Sequence, residues 1–298
     1  APLPALSIVL PVFNAGKFLE KTIRSLLCND LSGVELIMMD GGSTDNTAEI
    51  LDHYRDYFAV CVSEKDAGQS DAINKGFARA RHELLYWLNG DDLLLPNTLN
   101  AVRRRFDQTD KPQVVVGDAY MTELDLTPIR HFQFSDEKLK FSYLLDYAAH
   151  HLVQPGVFFT RTAWDACGPV NNDLHYAMDA DLFLHMSAQF NMVHLPLDIA
   201  YSVYHEECKT RGKRAESITE LGLVQARHGG FEHAERTLNL LVDMFNASAE
   251  QEPASEAHNG VNEEHCSRCK VTEDRMKLLE AELEEKKRML LALDMRVS

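Results

Sequence analysis

The chain has 298 residues, 45% of them hydrophobic, and a formal net charge of −16. That length suits one large domain, or one domain with an appendage. The acidic balance argues against a nucleic-acid backbone as partner, because such binders present a basic face, but it leaves room for nucleotides held through a metal ion. No run of about 18 or more apolar residues occurs, so no transmembrane segment is expected. Ala1-Pro2-Leu3-Pro4 carries neither a basic region nor a cleavable hydrophobic segment, so no secretion signal is expected. Cys28, Cys61, Cys167, Cys208, Cys266 and Cys269 show no dense disulfide spacing, and the expected compartment is reducing and cytoplasmic.

Leu6 to Val12 is a short, β-branched apolar run and reads as a buried strand, ended by Phe13-Asn14-Ala15-Gly16. Phe18, Leu19, Ile23, Leu26 and Leu27 recur at helical spacing after it. Val34 to Asp40 is a second strand ending in an acid. Gly41 to Asp45 is its turn, and Thr44 or Asp45 can cap a helix from Thr47 to about Phe58. Val60 to Glu64 is a third strand. A loop over Asp66 to Ser70 leads to a helix over Asp71 to Ala80. A fourth apolar run, Tyr86-Trp87-Leu88, enters the acidic turn Asn89-Gly90-Asp91-Asp92; a second apolar run and Pro96 follow. Strands alternating with helices in this order predict an α/β domain built on a mostly parallel central sheet flanked by helices.

In such sheets ligands sit beyond the carboxyl ends of the strands. Four polar loops meet that condition, at 11–16, 40–45, 66–70 and 89–92, and three carry acids. Hard divalent cations take oxygen ligands, often one or two protein carboxylates completed by substrate phosphates. Asp91 and Asp92 therefore predict a site for a divalent metal, Mn²⁺ or Mg²⁺, and a diphosphate. The same turn has an alternative role as a cap for the helix after Pro96. Gly41-Gly42 fits neither the Rossmann nor the P-loop glycine spacing, which excludes both. Lys75 is either a point charge near a phosphate or a solvated helix residue.

Four segments carry a family resemblance: Pro11-Val12-Phe13-Asn14, Asp40 to Thr47, Glu64 to Gly76, and Asn89-Gly90-Asp91-Asp92. In order and spacing they resemble the successive motifs of glycosyltransferase family 2, of the bacterial surface-polysaccharide type, and the resemblance runs to about Thr210. It implies a GT-A fold and an inverting enzyme using nucleotide-activated sugars. It also implies that Pro11, Phe13, Asp40 and Asp66 lie around the base and ribose, with Asn14 and Gln69 in the same donor-side motifs. Asn89-Gly90-Asp91 takes the place of the family's Asp-x-Asp metal motif. Asn at the first position makes Asp91 the expected direct ligand and leaves the division between Asp91 and Asp92 open.

Gln113 to Met121 reads as a further strand, and residues 122–146 as an antiparallel excursion and a helix. His150-His151 lack a partner at diagnostic metal spacing and are placed in an acceptor-side loop. By the resemblance, Gln154-Pro155-Gly156 lines the sugar and acceptor pocket. Residues 178–186 suit a helix entered at Met178-Asp179. An inverting transfer needs a carboxylate to take a proton from the attacking hydroxyl, and Asp179 is the expected general base. Asp181 is the alternative base, or it holds an acceptor hydroxyl or caps the helix. His205 is expected as a third metal ligand or a diphosphate donor. Lys209, Thr210 and Arg211 are expected to close over the phosphates as a lid.

Glu216 to Phe245 reads as one or two helices broken at Gly229-Gly230, and residues 247–264 as a linker. Cys269, Met276, Leu283, Leu290 and Val297 recur every seven residues, with Thr272, Leu279, Lys286 and Leu293 on the other seam. This predicts a coiled coil over 265–298 and a homo-oligomer. His265, Cys266 and Cys269 form half of a zinc site. The expected organisation is a transferase domain over 1–215, a helical extension over 216–246, the linker and the coil. The expected partners are a nucleoside-diphosphate sugar and a glycan or lipid-linked glycan acceptor, at the inner face of the membrane. A sugar-nucleotide pyrophosphorylase and a non-catalytic coiled-coil scaffold are the alternative readings.

Overall fold

The computed structural model describes residues 2–206, 208 and 212–250. It opens with β1 (Leu6–Val12), α1 (Leu19–Leu27), β2 (Val34–Asp40) and α2 (Thr47–His53). The helix expected to reach Phe58 stops at His53, and a separate 3-10 turn spans Arg55–Tyr57. Then come β3 (Val60–Ser63), α3 (Gln69–Arg79), β4 (Leu84–Trp87), β5 (Leu93–Leu94) and α4 (Thr98–Phe106). Every residue of β1 and β4 is buried, which is why both read as continuous apolar runs without alternation.

The remainder continues the same sheet. Strand β6 (Val114–Thr122) turns back into β7 (Pro128–Phe132), the expected antiparallel excursion. Short helices α5 (Phe141–Leu144) and α6 (Tyr147–His150) lead to β8 (Val157–Thr160) and α7 (Arg161–Cys167). Helix α8 (Met178–Gln189) and the long strand β9 (Met192–Val203) follow. The strand order is β3-β2-β1-β4-β8-β6-β9-β5, with β7 paired to β6. Strands β1 to β4 run parallel, as do β6 and β9, while β8 lies antiparallel between β4 and β6. Tyr86 of β4 stacks on Phe158 of β8 at 3.9 Å and 6°, an aromatic cross-strand pair that holds the antiparallel strand in place.

Two close approaches set the geometry near the strand ends. A Cβ at Gly76 of α3 would lie 2.4 Å from Val9 Cγ1, and one at Gly90 would lie 3.0 Å from Val12 Cγ1. Glycine at these positions lets α3 press onto β1 and lets the acidic turn sit against the end of the same strand.

The chain divides into two compact units at Leu221/Gly222, inside helix α9 (Arg214–Arg227). Helix α10 (Phe231–Glu250) follows a break at Gly229, whose φ is +84°. It extends to Glu250, into the stretch expected to be a linker. The rest of that stretch, the heptads at 265–298 and the half zinc site at 265–269 lie outside the described residues.

Gly76→Ala should destabilise the fold by about 1–3 kcal/mol, even though alanine is the better helix former, because β-branched Val9 is stiff at χ1. Urea denaturation measures this; unchanged or raised stability would show that β1 yields at Val9.

Candidate active site

The strand-end loops are stitched together by side chains. Asn14, at φ +49°, accepts the Thr44 N–H at 2.8 Å, and its own N–H donates to Ser43 Oγ at 2.8 Å. Asp40, buried at the end of β2, accepts the Ser43 N–H at 3.1 Å and the hydroxyls of Ser43 and Ser63. The Asp66 carboxylate accepts the Gly68 N–H at 2.9 Å and packs so closely on Gly41 that a Cβ there would lie 2.7 Å away. Pro11 is buried in β1, whereas Phe13 is 63% exposed. Lys75 is ion-paired with Asp71 at 2.9 Å and Glu64 at 3.4 Å. Its charge is shared between these two carboxylates.

The acidic turn separates the roles of its members. Asn89 uses both ends of its amide: Nδ2 donates to Asp92 Oδ2 at 3.1 Å and Gln154 Oε1 at 3.0 Å, and Oδ1 accepts from Gln69 Nε2 at 2.7 Å. Gln154 in turn donates to the Trp87 carbonyl at 2.9 Å. The Thr22 hydroxyl donates to the Gly90 carbonyl at 3.0 Å. Asp92 is 4% exposed and accepts the Val203 N–H at 3.2 Å. Burial and the neighbouring Asp91 push its carboxyl well above the usual range. Asp92 faces inward and joins the turn to β9.

Asp91 is the outward member, with 31% of its side chain exposed. Its Oδ2 stands 3.0 Å from Nε2 of His205, and the His205 ring stacks on Phe18 at 4.2 Å. The ligand atoms of Asp91, His205 and Cys208 all lie within 4.8 Å of one another. The residue missed by sequence reasoning is Cys208, whose isolated position carries no spacing signal. Its Sγ accepts the His205 N–H at 3.3 Å. A carboxylate and an imidazole fit a divalent cation.

Beside the turn lies a cleft of about 450 Å³. Its walls bring together Gln69, Asn89, Asp91, Asp92, Gln154, Pro155 and Asp179. Asp179 sits in the first turn of α8 and accepts the Ala180 N–H at 2.8 Å. Burial is the dominant influence on its carboxyl and pushes the pKa up to about 6. Pro11, Phe13, Asn14, Asp40, Asp66 and Lys75 lie away from this cleft, on the β1 to β3 side of the strand ends. Gly156 and Asp181 sit off its wall, and Lys209 and Thr210 lie outside the described residues. His151 also lines the cleft; burial lowers its pKa to about 4, so its ring is neutral near pH 7. Trp87 Nε1 and the Tyr147 hydroxyl, on two further lining residues, are buried without a hydrogen-bond partner among the described residues. That leaves two unsatisfied donors at the cleft.

A parallel sheet with acidic loops at one edge, an antiparallel strand inserted beyond them and a cleft beside the acidic turn is the GT-A architecture. Solved structures share it. S. aureus TarS in complex with UDP aligns with a TM-score of 0.59 at 17% identity, covering 78% of this chain and 69% of that one. The mannosyltransferase PcManGT from Pyrobaculum calidifontis, in complex with GDP-Man and Mn²⁺, aligns with a TM-score of 0.57 at 15% identity, covering 98% and 86%. Residues 7–165 match the family model for Glycosyl transferase family 2, and the chain belongs to that family. Relatives include the glycosyltransferase GlyG of Streptococcus pneumoniae, 30% identical over 118 residues (39% of each chain). Another is the hyaluronan synthase of Pasteurella multocida, 26% identical over 236 residues (76% of this chain). The chain spans 39% of the length of the first and 22% of the second.

The two acids of the turn should behave differently on substitution. Asp91→Ala is expected to abolish Mn²⁺ binding in calorimetric titration. Asp92→Ala should keep it within a few-fold while losing about 1–3 kcal/mol of stability, from the unsatisfied Val203 N–H and Asn89 amide. Loss of the ion in both variants, at equal stability, would contradict this division.

Proposed function

We propose that this protein is an inverting, metal-dependent glycosyltransferase. It moves a sugar from a nucleoside-diphosphate sugar to a hydroxyl of a glycan or lipid-linked glycan, with Asp179 as general base. The observation that carries this reading is the partly enclosed Asp179 carboxyl, which shares one cleft with the Asn89–Asp92 turn and has its pKa raised toward the working range of a general base. In the reaction Asp179 takes the proton of the acceptor hydroxyl. The acceptor oxygen forms its bond to the anomeric carbon as the bond to the diphosphate breaks, and the leaving group departs with the electron pair. Attack from the face opposite the leaving group inverts the anomeric centre.

Asp91, His205 and Cys208 would hold the divalent cation. When bound, that ion offsets the charge developing on the leaving diphosphate. The TarS complex with UDP and the PcManGT complex with GDP-Man support a nucleotide-sugar donor here, and the glycan-synthase relatives support a glycan acceptor. Pro11, Phe13, Asn14, Asp40 and Asp66 form the nucleoside end of the donor site. Gln69, Asn89, Gly90, Gln154, Pro155 and Gly156 shape its sugar and acceptor end, and Lys209 and Thr210 close over the phosphates. None of the helices described is long and apolar enough to cross a membrane. The enzyme acts in the cytoplasm at the inner face of the membrane and assembles through the heptads at 265–298.

Asp179→Asn should lower kcat by about 10²–10⁴-fold while donor binding, read by calorimetry, stays near wild type. Transfer at the wild-type rate would remove Asp179 from the mechanism. The wild-type rate should rise with pH through about 6 as the base loses its proton.

The same carboxyl makes a stability prediction of opposite sign. Its folded pKa lies above the unfolded value of 3.8, so the folded state binds the proton more tightly. Its stabilising contribution is complete below about pH 4 and is lost as pH rises through about 6. Above pH 6, Asp179→Asn should therefore be more stable than wild type by on the order of 1–3 kcal/mol. Thermal unfolding at pH 5 and pH 8 measures the change.

A further inference from the structure

The backbone N–H groups of His175, Tyr176 and Ala177 form the approach to α8, immediately before Met178-Asp179. All three donate to one carboxylate, that of Glu220. His175 N lies 2.9 and 3.0 Å from the two carboxylate oxygens. Tyr176 N and Ala177 N lie 2.6 and 3.1 Å from Oε2. Ala177 is the N-cap of α8 and supplies no side-chain cap of its own. The N–H groups of the segment that leads into this helix are thus bound by an acid about forty residues downstream, through charge-assisted hydrogen bonds. Glu220 stands on α9, whose Ser217 and Leu221 also line the cleft that holds Asp179. This part of α9 lies beyond the family match over residues 7–165.

We propose that Glu220 is a positioning residue for the transfer reaction: it clamps the 175–177 segment and so fixes the backbone that aims Asp179. This rests on the reading of Asp179 as the general base. Three consecutive N–H groups on one carboxylate leave the segment little freedom, and Asp179 lies two residues past the last of them. The clamp acts on the bond-making step. The donor-side turn is anchored separately, by Gln69, Gln154, Thr22 and Val203.

Kinetics of Glu220→Ala, Glu220→Asp, Glu220→Gln and Asp179→Asn in the full chain test the proposal, beside thermal unfolding of each. Glu220→Ala should lower kcat by about 10–100-fold, since a misplacement of about 1 Å can cost that much. The donor KM should stay within about twofold. Glu220→Asp, one methylene shorter, should match the alanine variant. Glu220→Gln, which keeps an acceptor oxygen at full reach, should recover a substantial part of kcat. Alanine is the better helix former, so α9 itself should not melt in Glu220→Ala.

If Asp179→Asn is inactive while Glu220→Ala keeps wild-type kcat, the clamp has no role in positioning and the base assignment stands. If Asp179→Asn is active, the base assignment fails and this inference falls with it. Equal loss of donor affinity and melting temperature in all three Glu220 variants, with no recovery in Glu220→Gln, would reduce Glu220 to a folding contact and overturn the proposal.

Discussion

The site depends on how one amide is saturated. Asn89 leaves the end of β4 with two donors and an acceptor, and each finds a side chain from a different part of the chain: Asp92, Gln154 and Gln69. A buried polar network of this kind is favourable only when every member is paired. Pairing Asn89 with Asp92 turns Asp92 inward, where the Val203 N–H meets its other oxygen. Asp91 is left as the turn's outward carboxylate. An Asp at position 89 would bring a third negative charge against Asp91 and Asp92 and would lack the two donors that the corner requires. The asparagine in the first position of the motif thus supplies both donors and the acceptor that this turn uses.

Two carboxylates then acquire opposite characters. Asp91 stays half-exposed beside His205 and Cys208, a setting that suits a cation. Asp179 is enclosed in the cleft wall, where loss of solvent raises its proton affinity. Late segments of the chain complete both arrangements. The end of β9 reaches Asp92 through Val203, and His205 just beyond it reaches Asp91. Glu220 reaches the entry to α8. The transferase unit is thus closed by residues beyond the alternating strands and helices of its first half.

Much of the fold was legible because local pattern carried it. The strands β1, β2 and β4 are almost wholly buried and appear as short unbroken apolar runs bounded by turn residues, and the helices between them keep an apolar stripe. The acidic loops were visible as strand-end polar segments, and Asp179 as an acid entering a helix. Other features had no local signature. The antiparallel placement of β8 follows from packing of Phe158 on Tyr86. Asp71 and Lys75 are an i,i+4 pair that the sequence carries, but the second carboxylate on Lys75, Glu64, comes from the end of β3 and has no such signature. Cys208 meets Asp91, and Glu220 meets the 175–177 segment, only through the fold.

The sequence by itself therefore determined the alternating α/β order, the edge of the sheet at which polar loops gather, and the residue types available there. These depend on hydrophobic periodicity and turn chemistry, both local in the chain. Tertiary structure alone decided which acid faces out, which is buried as the candidate base, and what clamps the helix that carries it. The Asn89–Asp92 pair is local, but the contacts that fix its surroundings join residues 20 to 114 positions apart, beyond any short window of sequence.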